Sequence, residues 1–212
     1  MFDSVPNSPL LQSLQAQLKE FPNLMAAYEK IEPLILQAFD ASRMSLFQKR
    51  AQQQDLVARF KTGQETKEIK VPISPASVAG YVAMAQQPLV INDPYDDVQL
   101  SSIHQRLRFD KKFDRESNFK TDTILCIPVM NAGVMMGVMQ IINKKGGNFD
   151  HNDLELGIQI ADMLGDKFRY ELGGTKNPFD YLVLRGLVSD DTIQEVAKLP
   201  DIRQTVAKLI TE

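Results

Sequence analysis

A chain of 212 residues, 43% hydrophobic and 24% charged, has the size of one globular domain with appendages, since domains cluster near roughly 100–200 residues. Its net charge of -3 argues against a partner that is a nucleic-acid polymer, because such binders carry a basic excess to neutralise phosphates. A single cysteine rules out an internal disulfide, two histidines make no metal-ligand set, and no apolar run reaches the roughly 18–20 residues of a membrane span; the expectation is a cytoplasmic protein without direct membrane insertion.

In chain order, Ser8-Pro9 reads as the cap and first residue of a helix along which Leu10, Leu11, Leu14 and Leu18 recur at helical spacing. A second helical pattern, Met25, Tyr28, Ile31, Ile35 and Phe39, contains Pro33, whose missing N–H predicts a kink or a restart. From residue 43 the period falls to two. Met44 and Leu46, then Leu56, Ala58 and Phe60, then Ile69, Val71 and Ile73 alternate with polar residues and predict three antiparallel strands. Ser74-Pro75 reads as the start of a short helix carrying Val78, Tyr81, Val82 and Ala85 and closing on Gln86-Gln87, with a strand from Pro88 to Ile91 behind it. Residues 92–121 show no sustained period and are rich in charge. Loops beyond about 12–15 residues are usually functional, so this segment is the predicted ligand lid. Two apolar runs, Thr123 to Met130 and Val134 to Ile142, flank Asn131-Ala132-Gly133 and read as a central hairpin. Leu154, Ile158, Ala161, Leu164, Phe168 and Leu172 then line one stripe of a long helix ended by Gly173-Gly174. Residues 173–178 read as a linker, and 179–212 as a short helical tail with too little apolar surface to be stable alone, the start of something larger.

Several α+β folds fit this order of elements, and the residues narrow the choice. The segments SVAGYVAMAQQPLVINDPYDD, RFDKKFDRESNFKTDTILCIPV and GVMMGVMQIINKKGGNFDHND resemble, in order and spacing, the GAF domains of cyclic-nucleotide phosphodiesterases and bacterial sensors. The resemblance implies one domain over residues 1–172, of α+β class, with a central antiparallel sheet of about six strands, helices on both sides, and N- and C-terminal helices packed together. It also implies a sensory module that binds a small ligand, such as a cyclic nucleotide, controls an attached or partner effector, and forms a homodimer through its terminal helices. Those relatives carry an Asn-Lys pair, a variable loop, Phe, three residues, then Asp-Glu. Here Asn143, Lys144, Phe149 and Asp153 fit, but Leu154 stands in the last place, so a cyclic-nucleotide ligand does not follow from the pattern. Lys144 at a strand end and Asp153 in the first turn of the next helix are expected to form an ion pair within a structural lock. The tail FDYLVLRGLVSDDTIQEVAKL resembles the N-terminal region of secretion and type IV pilus assembly ATPases, which implies an alternative: a ligand-free dimerisation or interaction domain of such a motor.

No G-x-S-x-G, H-E-x-x-H, C-x-x-C or G-x-G-x-x-G spacing occurs, and no Gly-Lys dipeptide. A regulatory domain is therefore expected rather than an enzyme, with any ATPase activity outside this chain. Cys126 reads as a small buried hydrophobe, and Met130, Met135, Met136 and Met139 as core filling. The lid sequence admits two readings. In one, Arg106, Arg108, Lys111, Lys112, Arg115 and Lys120 stand over an anionic ligand while Phe109 or Phe119 stacks on a base. In the other, the loop is solvated and the two phenylalanines cap the core. Thr121 and Thr123, at the start of a central strand, offer hydroxyls, so the candidate ligand contacts are Phe109, Asp110, Phe119, Thr121 and Thr123.

Overall fold

The apolar spacing near the start of the chain folds as two helices, α1 (Pro9–Glu20) and α2 (Leu24–Phe39), which bury Leu11, Leu14, Leu18, Ile31, Ile35 and Phe39 in one cluster. The computed structural model describes residues 9–21, 24–49, 54–62, 65–131 and 133–173; the Ser8 cap, most of the expected linker and the whole expected tail lie outside these residues. Pro33 does not restart α2, which runs through it unbroken. A helical proline costs about 3 kcal/mol. Fully buried side chains such as Ile31, Ile35 and Phe39 contribute roughly 1.5–3 kcal/mol each, which outweighs that cost.

The period-two segments form six strands: β1 (Ala41–Lys49), β2 (Asp55–Thr62), β3 (Glu65–Pro72), β4 (Leu89–Ile91), β5 (Ile124–Asn131) and β6 (Val134–Lys144). They make one sheet in the order β3-β2-β1-β6-β5-β4, every neighbouring pair antiparallel. The β5–β6 hairpin turns at Gly133, whose φ of 78° is the left-handed region that glycine enters without strain. Strand alternation sorts the side chains into two cores. On one face Leu46, Leu125, Ile127, Met139 and Ile141 meet α1, α2 and the long helix α6 (His151–Gly173). On the other, Phe47, Leu56, Ala58, Ile124, Cys126 and Val138 meet α3 (Val78–Ala85) and the segment that follows β4. The terminal helices pack together, and Lys167 Nζ donates to the Phe21 carbonyl across them.

Three local expectations are corrected. Helix α3 begins at Ser77, whose hydroxyl accepts the Gly80 N–H at 3.1 Å; the Ser74 hydroxyl is engaged in its own turn, accepting from Ala76 N–H at 3.3 Å. Residues 92–121 contain two helices, α4 (Asp97–Ile103), capped by Asp96, and α5 (Lys112–Ser117), each too short for a periodic signal. Ile158 points outward at 39% exposure, because α6 turns Gly157, Ile160, Ala161, Leu164 and Gly165 to the sheet instead.

One irregularity of the sheet positions the site. β1 pairs with β6 from Ala41 to Gln48, but with β2 only from Phe47 to Lys49, while β2 and β3 stay paired along their length. The β2–β3 hairpin thus leaves β1 uncovered at Arg43–Leu46.

Candidate functional site

Where the hairpin departs from β1, a cavity of about 590 Å³ opens. Its walls are α2 at Tyr28 and Glu32, β1 from Arg43 to Phe47, and the lid from Phe109 to Thr121. Four of the five predicted contacts, Phe109, Asp110, Phe119 and Thr121, lie in this wall. Thr123 does not. It is 5% exposed, and its hydroxyl accepts the Lys144 N–H at 3.1 Å, tying the start of β5 to the end of β6.

The lid is anchored from within by Asp114. This buried carboxylate accepts the Tyr95 hydroxyl at 2.8 Å, the Thr121 N–H at 2.7 Å and the Thr121 hydroxyl at 2.8 Å. Donation to Asp114, with burial adding to it, holds the Tyr95 phenol above its ordinary pKa. The Tyr95 ring meets Phe109 edge-on at 5.3 Å, and Arg108 N–H donates to the Pro75 carbonyl at 3.0 Å, so the lid is stitched both to itself and to the approach to α3.

Two wall features escaped sequence reasoning. The Arg43 guanidinium lies 3.6 Å from the Phe119 ring centroid, a cation–π contact between β1 and the lid, with Nη1 3.5 Å from the Ser117 hydroxyl. Alternation along β1 puts Arg43 on the face of Ser45 and Phe47, but nothing local says which distant ring it meets. On the opposite side the Tyr28 hydroxyl donates to Glu32 Oε1 at 3.1 Å and lies 3.0 Å from the Met44 carbonyl, on the stretch of β1 that β2 leaves uncovered. Burial raises the Glu32 carboxyl above its ordinary value, opposed by the bond from Tyr28; burial and the Glu32 charge together push the Tyr28 phenol well up.

Of the two readings of the lid, its basic residues follow the solvated one: they are absent from the wall. Arg108 Nη1 donates to the Gln105 and Leu107 carbonyls at 3.1 and 2.7 Å, and Arg115 Nε to the Lys111 carbonyl at 3.3 Å. Lys112 pairs with Glu116 at 3.9 Å, Lys120 with Asp122 at 2.6 Å, and Lys111 Nζ sits 5.0 Å from the Tyr95 ring centroid. Arg106 is exposed. Lys112 and Arg115 stand on α5 and the others on the turns around it, with their charged ends hydrated.

Away from the cavity, Asn143, Lys144, Phe149 and Asp153 gather where β6 passes to α6. Lys144 Nζ pairs with Asp153 Oδ2, which also accepts the Asp150 N–H at 2.8 Å, while Asp150 Oδ1 accepts the Asp153 N–H at 2.9 Å in return. That N–H donation from Asp153 is the main reason the Asp150 carboxyl lies below its ordinary value. Phe149 meets Phe39 edge-on at 6.4 Å. Asn143, at φ 58°, donates from Nδ2 to the Lys120 carbonyl at 2.6 Å and accepts the Asp122 N–H at 2.6 Å, so it clamps the last residues of the lid to β6. Among the described residues no group of three or more His, Cys, Asp or Glu could hold a metal ion, and no helix is long and apolar enough to cross a membrane.

Residues 27–166 match the GAF domain family. A probable 3′,5′-cyclic phosphodiesterase of Caenorhabditis elegans is 30% identical over 223 residues, covering 95% of this chain and 29% of that protein. A cGMP-specific 3′,5′-cyclic phosphodiesterase of Drosophila ananassae is 37% identical over 98 residues, 45% of this chain and 8% of that protein, so the chain spans a minor part of these relatives. Among solved structures, the GAF domain of an Acinetobacter phosphoenolpyruvate-protein phosphotransferase superposes with a TM-score of 0.58 at 13% identity, over 78% of this chain and 96% of that one.

Proposed function

The chain belongs to the GAF domain family, and from that premise we propose that it is a regulatory module that takes a small ligand into the opening beside β1, beneath the lid. The observation that carries this reading is the cavity itself. At about 590 Å³ it falls within the range of roughly 300–1,000 Å³ typical of small-molecule sites, and its wall combines apolar and aromatic surface with a few polar groups. The ligand bridges the lid and α2. Any difference in affinity between two positions of these elements biases their equilibrium, and α2, packed on α1 and α6, passes the change to the ends of the domain. There it acts on an attached effector or on a second copy of the chain in a homodimer.

Nuclear magnetic resonance titration of the isotope-labelled chain with a panel of nucleosides, nucleotides, amino acids and small heterocycles tests the reading. The expected result is that one class shifts the amide signals of residues 109–121 and of residues 28–32 together. Unchanged signals in both segments for every compound would overturn it.

A further inference from the structure

The chemistry of the cavity wall narrows what kind of ligand it accepts, an inference that rests on the ligand-binding reading above. Among the described residues four carboxylates, Glu29, Glu32, Asp110 and Asp114, line the opening; Glu29 is engaged, and the groups that donate to the other three are all uncharged. Glu32 receives the Tyr28 hydroxyl at 3.1 Å, Asp110 the Lys112 backbone N–H at 2.9 Å, and Asp114 the Tyr95 hydroxyl together with the N–H and hydroxyl of Thr121. None of the three has its negative charge cancelled by a cation. Arg43 is the lining cation among the described residues, and its guanidinium is laid over the Phe119 ring. The lid cations lie outside the wall: Arg108, Lys111, Lys112, Arg115 and Lys120 are engaged there and Arg106 is exposed.

An anionic group in this opening would meet unneutralised carboxylates from the α2 side and from the lid, in a partly desolvated setting where like charges repel more strongly than in water. A ligand edge bearing N–H donors meets the opposite condition, because carboxylates accept paired donors in charge-assisted bonds. Phe109 and Phe119 supply the apolar rings for a flat partner, and ring faces stack on any planar heterocycle whatever its sequence of substituents. We infer that the cavity selects a planar nitrogen heterocycle, neutral or cationic, with N–H donors on its edge, and rejects the phosphorylated form of the same heterocycle.

Matched pairs test this: guanosine and adenosine, each against its 3′,5′-cyclic monophosphate, by isothermal titration calorimetry on the full chain. At least one nucleoside is expected to bind about tenfold or more tightly than its cyclic monophosphate, the ratio that a single unfavourable charge contact produces. Asp110→Asn, at an exposed position whose amide still accepts the Lys112 N–H, is expected to narrow that ratio with an unchanged thermal melt. Equal or tighter binding of the cyclic monophosphates overturns the inference while leaving the ligand-binding reading intact. So does a ratio unmoved by both Asp110→Asn and Glu32→Gln, or binding of another anionic compound from the panel when both nucleosides fail. Silence of the lid signals towards every compound, charged or not, removes both.

Discussion

At Asp153 one carboxylate holds together a strand end, a loop and the first turn of a helix. Its side chain is 10% exposed and that of its partner Lys144 23%, so the pair is too sheltered for water to replace either charge fully. Lys144→Met keeps the aliphatic stem and removes the cation; it is expected to lower stability by about 2 kcal/mol in urea unfolding, and an unchanged midpoint would contradict a role in locking β6 to α6. Asp150 makes the acid stability of this connection depend on pH. Its folded-state pKa is depressed below the ordinary 3.8, so the folded chain binds that proton less readily than the unfolded one. Its contribution is present above the ordinary value and is lost as pH falls through the lowered one. Acid unfolding followed by circular dichroism should therefore be less steep below the ordinary value in Asp150→Asn than in the parent chain. The members of this lock were legible in the sequence because they sit along one strand–loop–helix connection. The Arg43–Phe119 contact was not, because it joins residues far apart in the chain.

Two glycines of α6 show how an element is placed rather than merely formed. A Cβ at Gly165 would overlap the Met130 backbone carbonyl, which cannot move without displacing β5; at Gly157 it would meet the Cδ1 tip of Ile127, which can rotate. Gly165→Ala is thus expected to cost about 3 kcal/mol, whereas Gly157→Ala stays within about 1 kcal/mol of the parent, since alanine's helix propensity offsets the side-chain shift. Similar urea midpoints for the two variants would refute that account of the packing. The lid invites a test of its own. Asp114→Ala removes the acceptor shared by Tyr95 and Thr121, and faster amide hydrogen exchange is expected across residues 95–121 with protection of β5 and β6 unaltered. The short helices α4 and α5 were missed because 7 and 6 residues give less than two turns of pattern. At the start of α4 the Asp96 carboxylate accepts the Val98 and Gln99 N–H groups, and ahead of α5 the Asp110 carboxylate accepts that of Lys112.

For the whole molecule, the sheet separates two cores, and Phe39 ties α2 to the Phe149 turn that precedes α6 in one of them. Phe39→Ala leaves a cavity at a site 1% exposed and is expected to cost about 3–5 kcal/mol, with loss of structure in both cores at a single urea midpoint. Two separate transitions would show that the faces unfold independently.

The sequence by itself determined the α+β class, the antiparallel hairpins, the lock and most of the lid's wall residues, because periodicity, turn glycines and capping groups act over a few residues and leave their mark locally. Tertiary structure alone decided where the β2–β3 hairpin departs from β1, that Glu32 of α2 joins the wall, and that the lid's cations point away from it. Those features depend on the angles at which separate elements meet. The angles are set by side-chain packing between segments distant in the chain, which no local spacing records.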